Sequence, residues 1–180
     1  MKGKGIRLQQ SFESIYRKWY PEILNLTYRI VLDEDLAKEA TQRTFIQLFR
    51  HYHRLDEIRN FRHWICRIAI NAARDILRQR NRKHNPDPLD SVTFEAEGQV
   101  TEGCMHQLEQ IHLRKIFHEI FRRLPEEPRT VVVLKIYHDM TFQEISQILN
   151  ISVNTVKSRF YRGIQLIRLI LEEKKLIEEI

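Results

Sequence analysis

Lys157, Arg159 and Arg162 stand two and three residues apart, with Ser158 and Tyr161 among them and no acid between Asn154 and Gln165. A second basic series, Arg67, Arg74 and Arg78 with Asn71 inside it, recurs at three- and four-residue steps beside Phe61 and Trp64. Guanidinium and ammonium groups donate to phosphate oxygens and to guanine edges, and Asn and Ser can do either. Cations beside aromatic rings suit unpaired strands, because bases stack while phosphates are neutralised. The residue types therefore point to nucleic acid: a duplex for the first series, a single strand for the second. The plainer alternative places Trp64 in a core and leaves Asn71 as a solvated amide. We expect Trp64 in the core and a functional role for the arginine stripe. His51, His53 and His63 also lie in this region. They form no carboxylate–histidine cluster with metal spacing, so an enzyme acting on nucleic acid finds no support, and neither a metal nor a cofactor is expected.

Each series needs a helix to carry it. Thr141 and Glu144 have the spacing of a capping box, which starts a helix at Thr141 with Ile145, Ile148 and Leu149 inward. Asn150 suits the left-handed conformation that ends a helix, and Ser152 suits the N-cap of the next. On that second helix Val156, Phe160, Ile164 and Ile167 are expected to face inward. Two helices joined by a tight turn, the second basic and opening with small polar residues, make a helix-turn-helix whose second helix enters a major groove. The other series rides on Asn60–Lys83, a helix whose apolar residues Phe61, Trp64, Ile65, Ile68, Ala69, Ala72, Ile76 and Leu77 repeat at helical steps after a loop over Leu55–Arg59. Upstream, Asp33–Tyr52 reads as an amphipathic helix with Leu36, Ala40, Thr44 and Leu48 on one side and acids in its first turn. The β-branched run Val131–Leu134 follows Pro128 and is read as a buried helix.

The 180 residues are 42% hydrophobic and 30% charged with a net charge of +6, enough for one domain or two small ones and favourable to an acidic partner. Helical periodicity runs from Phe12 to about Leu77 and from about Leu108 to Leu176, and no alternating strand pattern competes with it. Between these blocks, His84–Gln107 holds Pro86, Pro88, Gly98 and Gly103, with five acids and no Lys or Arg. The preceding Arg62–Lys83 has seven Lys and Arg against the single acid Asp75. That change of sign marks a flexible acidic linker. The expected fold is all-α: two small helical domains over 1–83 and 108–180, a linker over 84–107, and a helix-turn-helix in the second domain. Cys66 and Cys104 are far apart and read as reduced thiols. No apolar run has the length of a membrane span, and the basic start Met1–Gln10 has no apolar stretch after it, so a cytoplasmic protein without direct membrane contact is expected.

Taken together these stretches resemble the bacterial extracytoplasmic-function sigma factors of the sigma-70 family, over about Phe12 to Leu171. Family members carry A-E-D-L-x-Q-E-T-F, then W-L-x-x-I-A-x-N followed by D-x-L-R-x-x-x-R, an acidic variable linker, and T-V-K-S-R-x-x-R. This chain has D-L-A-K-E-A-T-Q-R-T-F from Asp35, W-I-C-R-I-A-I-N from Trp64, then Asp75, Leu77, Arg78 and Arg82, and T-V-K-S-R-F-Y-R from Thr155. The resemblance implies a promoter-specificity subunit of RNA polymerase and not an enzyme. Asp35, Leu36, Glu39, Gln42, Phe45, Leu48 and Phe49 would dock on the clamp coiled coil of the β′ subunit of the polymerase core. Leu55, Phe61, Trp64, Arg67, Asn71, Arg74 and Arg78 would melt and read the −10 element of promoter DNA, one base being flipped into a pocket near Leu55 and Asn71. Asn154, Thr155, Lys157, Ser158, Arg159, Tyr161 and Arg162 would read the −35 element as duplex. The linker would run towards the RNA exit path, and an anti-sigma factor, membrane-linked or soluble, would act as the brake. Two departures stand out: Arg43 replaces the family's usual acid before Thr-Phe, and Leu55 stands where several relatives have an aromatic. The competing assignment is a helix-turn-helix regulator that binds duplex DNA as a dimer. It accounts for Thr141–Arg168 but not for the Trp64–Asn71–Arg78 array.

Overall fold

The structure, a computed structural model, describes residues 11–83 and 116–178. Every regular element among them is helical: α1 (Phe12–Val31), α2 (Glu34–Arg50), a short 3-10 turn (Tyr52–Glu57), α3 (Phe61–Lys83), α4 (residues 116–123), α5 (Glu126–Ile136), α6 (Phe142–Leu149) and α7 (Val153–Glu178). The linker expected over 84–107, Cys104 and the start of the chain lie outside the described residues.

The N-terminal half is a three-helix unit. Leu32 takes a left-handed conformation (φ 57°) and ends α1, and Asp33 then caps α2 by accepting from the Leu36 N–H at 2.9 Å. Asn60 caps α3 by accepting from the His63 N–H at 3.1 Å. The core collects Ile23, Leu26 and Ile30 of α1, Ala37, Ala40 and Leu48 of α2, and Ile65, Ala69 and Ile70 of α3. Alanines on α2 and α3 bring the helices close, and the buried Thr27 and Thr41 hydroxyls satisfy each other at 3.0 Å.

In the C-terminal half α5 is the central element. Val131, Val132, Val133 and Leu134 are fully buried, so packing overrides the weak helix propensity of the β-branched run. The helix begins at Glu126 after Pro125, which puts Pro128 inside the first turn rather than ahead of it. Thr141 and Glu144 form the expected capping box, and Asn150 ends α6 with φ 53°. The Ser152 hydroxyl accepts from the Thr155 N–H at 3.0 Å to start α7. The inward face of α7 differs in one place from the sequence expectation. Val156, Gly163 and Ile170 are buried, while Ile164 is exposed. A Cβ at Gly163 would stand 2.7 Å from Val132 Cγ2, so the missing side chain is what lets α7 approach α5.

The two halves touch. α3 packs against α6, and α1 against α5. Glu22 of α1 accepts from Arg62 Nε at 3.0 Å and lies 3.5 Å from Nδ1 of His138, in the α5–α6 connection.

Candidate nucleic-acid interface

At the start of α7 the backbone is held by the Ser152 cap, and Phe160 packs edge-on against Phe142 of α6 at 5.4 Å. This fixes the rotation of the helix. Asn154, Lys157, Ser158, Tyr161 and Arg162 then face solvent together, Tyr161 being 62% exposed. Thr155 is half-buried, its hydroxyl 2.8 Å from that of Ser152. Arg159 is also half-buried and pairs with Glu127 at 2.8 Å. Of the seven residues expected to read a duplex, five form one exposed polar surface, and Thr155 and Arg159 sit at its edge with internal partners.

On α3 the expected set divides. Leu55 and Phe61 are core residues, 2% and 3% exposed, so they shape the surface from beneath and do not lie over a base. Trp64 is half-buried, tilted against Phe61 at 5.8 Å and edge-on to His51 at 5.9 Å. Asn71 and Arg78 are exposed, Arg78 lying 3.6 Å from Asp75. Arg67 and Arg74 meet the other half of the chain. Arg67 donates through Nε to the Ile148 carbonyl at 3.1 Å and through Nη2 to the Gln147 carbonyl. Arg74 Nε donates to Glu126 at 2.6 Å, and His63 Nε2 lies 3.2 Å from Glu144 Oε1.

The residues expected to dock on a protein partner form part of a larger feature. A trough of about 740 Å³ runs between α1 and α2, lined by Phe12, Tyr16, Tyr20, Gln42, Phe45 and Phe49 among others. Phe49 is 63% exposed at its wall. Asp35 and Glu39 are exposed, Leu36 is half-buried, and Leu48 is fully buried beneath. Arg43 is held by Glu39 at 2.6 Å and by Gln79 of α3 at 3.3 Å, so its charge is used in joining α2 to α3. Sequence reasoning missed the α1 wall. The signal was present: Phe12, Tyr16 and Tyr20 recur every four residues, an aromatic stripe additional to the Ile23, Leu26 and Ile30 series that builds the core.

Among the described residues no three His, Cys, Asp or Glu side chains come together as metal ligands, and no helix is long and apolar enough to cross a membrane. Cys66 is fully buried, and burial pushes its thiol up to about 12. Two carboxylates lie where the halves meet, Glu22 beside His138 and Arg62, and Glu144 beside His63. The His138 hydrogen bond, with help from Arg62, holds Glu22 below the usual carboxylate range despite its partial burial. Glu144 is also lowered, first by the Thr141 backbone and hydroxyl hydrogen bonds and then by His63.

Residues 15–83 match the family model described as Sigma-70 region 2, and residues 114–167 match Sigma-70, region 4. The chain is 32% identical over 169 residues to the ECF RNA polymerase sigma factor SigW of Bacillus subtilis, covering 89% of this chain and 88% of that one. It is 28% identical over 165 residues to the RNA polymerase sigma-H factor of Pseudomonas aeruginosa, covering 86% and 83%. Among solved structures, its fold matches that of the sigma factor RpoE in complex with the anti-sigma factor NepR from Bartonella quintana. There the TM-score is 0.70 at 16% identity, over 89% of this chain and 96% of that one. It also matches CnrH in complex with the cytosolic domain of CnrY, with a TM-score of 0.63 at 19% identity over 90% and 88%.

Proposed function

The chain belongs to the extracytoplasmic-function sigma factors of the sigma-70 family, transcription-initiation proteins and not enzymes, and on that premise we propose how its surfaces divide the work of promoter recognition. The α1–α2 trough and the polar edge of α2 dock on the clamp of the RNA polymerase core, with Phe49 as the apolar anchor and Glu39 and Gln42 at the rim. α3 carries the −10 element: Arg67, Arg74 and Arg78 neutralise phosphates, Trp64 borders the strand, and Asn71 offers donor and acceptor to an extruded base. Leu55 and Phe61 hold that surface from below. α7 enters the major groove at the −35 element, where Lys157 and Arg162 take base edges or phosphates and Asn154, Thr155, Ser158 and Tyr161 complete the contact. Arg159 orients against Glu127. An anti-sigma factor holds the protein inactive in the cytoplasm. RpoE, which shares its fold, was solved in complex with the anti-sigma factor NepR.

The observation that supports this reading best is the coexistence on one chain of two separate polar, basic helices, α3 and α7, each with its own scaffold, beside an apolar trough that neither uses. A duplex-binding regulator needs only the second helix. The test is run-off transcription with purified core polymerase and genomic promoter fragments. Discrete transcripts that appear only when the protein is added are expected. Dimeric duplex binding with no transcript from any fragment would reject the reading in favour of a helix-turn-helix regulator.

A further inference from the structure

A cavity of about 300 Å³ lies where α1, the start of α3 and the α5–α6 connection meet, lined by Glu22, Asn25, Arg29, Arg62, Tyr137 and His138. Every one of the six carries a polar group, and none belongs to the surfaces assigned to polymerase or to promoter DNA. The volume is at the low end for a small-molecule site. Arg62 uses its Nε on Glu22 at 3.0 Å, and its terminal nitrogens have no hydrogen-bond partner among the described residues. Arg29 lies over the Tyr137 ring, 4.4 Å from its centroid, and donates through Nη1 to the Asn25 carbonyl at 3.2 Å. Its Nε is buried and has no partner among the described residues. His138 is 5% accessible, with Nδ1 at 3.5 Å from Glu22, and its buried Nε2 has no such partner either. A buried polar group left unpaired costs about 1–3 kcal/mol, which a ligand that pairs it recovers.

Two guanidinium groups stand against one carboxylate, so the wall is net positive and its ligand carries an anionic group. Glu22 stays ionised, held low by His138 and Arg62. With the Nδ1 proton directed at Glu22, Nε2 of His138 is an acceptor and calls for a hydroxyl. A phosphate meets both needs. Its oxygens pair with the guanidinium forks, and its own P–OH, or a hydroxyl of a small ester, donates to Nε2. Sulfate has the same shape and acceptors but no proton to give at neutral pH. We propose that this cavity is a binding site for a small phosphate that carries a hydroxyl, either hydrogen phosphate or a short hydroxylated phosphate ester, held by Arg29, Arg62 and His138. The site draws on both halves of the chain, so occupancy stabilises the folded molecule by mass action.

The test is calorimetric titration of the full chain at neutral pH and constant ionic strength. The ligands are sodium phosphate, glycerol 2-phosphate, sodium sulfate and dimethyl phosphate, the last standing for a nucleic-acid backbone unit. Saturable binding of phosphate or of glycerol 2-phosphate is expected, and the tighter of the two identifies the source. Sulfate and dimethyl phosphate should bind at least about tenfold more weakly, each lacking the hydroxyl. Arg62→Gln and His138→Phe should each weaken phosphate binding by about tenfold. Sulfate and phosphate both stabilise proteins by exclusion from the surface. A melting temperature raised by phosphate beyond the sulfate effect, and not so raised in Arg62→Gln, is therefore the second expected readout. Equal binding of sulfate or dimethyl phosphate, binding unchanged in both variants, or no saturable binding of either phosphate ligand would overturn the site. Circular dichroism checks folding. Should His138→Phe not fold, Arg62→Gln, at a side chain 42% accessible, is scored by the same outcomes.

Discussion

Arg162 and Lys157 differ from Arg159 in having no acidic partner among the described residues, and that difference sorts their roles. Replacing Arg162 with Ala is expected to weaken −35 duplex binding by about 1–3 kcal/mol and to relax preference at one position if it reads a base. If it holds a phosphate instead, all sequences weaken alike and the salt dependence flattens. Fluorescence anisotropy across salt concentrations separates these outcomes, and unchanged binding by both Arg162→Ala and Lys157→Ala would remove α7 as the reader. Asn71, exposed one turn beyond Arg67, is expected to matter for melting only. Asn71→Ala should leave −35 binding intact while reducing permanganate reactivity of the −10 region, and normal melting would sink the flipped-base assignment. Gly163 sets two effects against each other. Gly→Ala within a helix gains about 1 kcal/mol in propensity. Overpacking a filled core costs about 1–3 kcal/mol. Val132, which the new methyl would meet at 2.7 Å, is fully buried and stiff, so the packing cost wins. Gly163→Ala should lower the melting temperature, and Val132→Ala in the same chain should restore part of the loss. Additive losses would show that the contact is not the cause.

At the scale of elements, what the sequence made legible was local chemistry. The capping box at Thr141, the left-handed Asn150 and the Ser152 cap are determined by residues three apart, and each is found as expected. The buried run Val131–Leu134 was legible from its lack of any polar face. What escaped depends on which neighbour a helix meets. Ile164 and Gly163 are adjacent on α7, and only the closeness of α5 decides that the glycine faces inward. Leu55 looked like a loop residue able to cover a base, yet the 3-10 turn points it into the core. The α1 wall of the trough is not legible from α2 alone, because the trough exists only where two helices meet. Tyr16→Ala and Phe49→Ala each remove an accessible ring from the trough and should lower co-purification with core polymerase more than Glu39→Lys with Gln42→Lys. Apolar anchors dominate interface energy, whereas rim charges mainly steer encounter. Undiminished capture of core by the Tyr16→Ala/Phe49→Ala chain would place the docking face elsewhere.

For the whole molecule, the decisive feature is that acidic groups close to the contact between the halves are poised to respond to pH. Glu22 meets His138 and Arg62, and Glu144 meets Thr141 and His63. Both carboxyls are held below their ordinary value of 4.5. A carboxyl whose folded value is lowered stabilises the folded, closed chain above the ordinary value, and that contribution is lost as pH falls through the lowered one. The window is therefore acidic, from about pH 4.5 downward. Glu22 is lowered chiefly by His138 of the other half, whereas Glu144 is lowered chiefly by its own Thr141 cap, so the acid dependence of closure is expected through Glu22 and not between pH 7 and pH 5. Acid should then lengthen the separation of dyes placed at Gln47 and Gln165 before it abolishes helicity, because buried apolar residues such as Leu26 and Ile70 in one half and Val132 and Ile145 in the other belong to each half. Glu22→Gln removes one titrating group and should flatten the acid dependence of the separation, leaving the helical signal at neutral pH unchanged. Coincident loss of separation and helicity in the parent, with the same midpoint in Glu22→Gln, would show that the halves fold and unfold as one body and that Glu22 does not govern their contact.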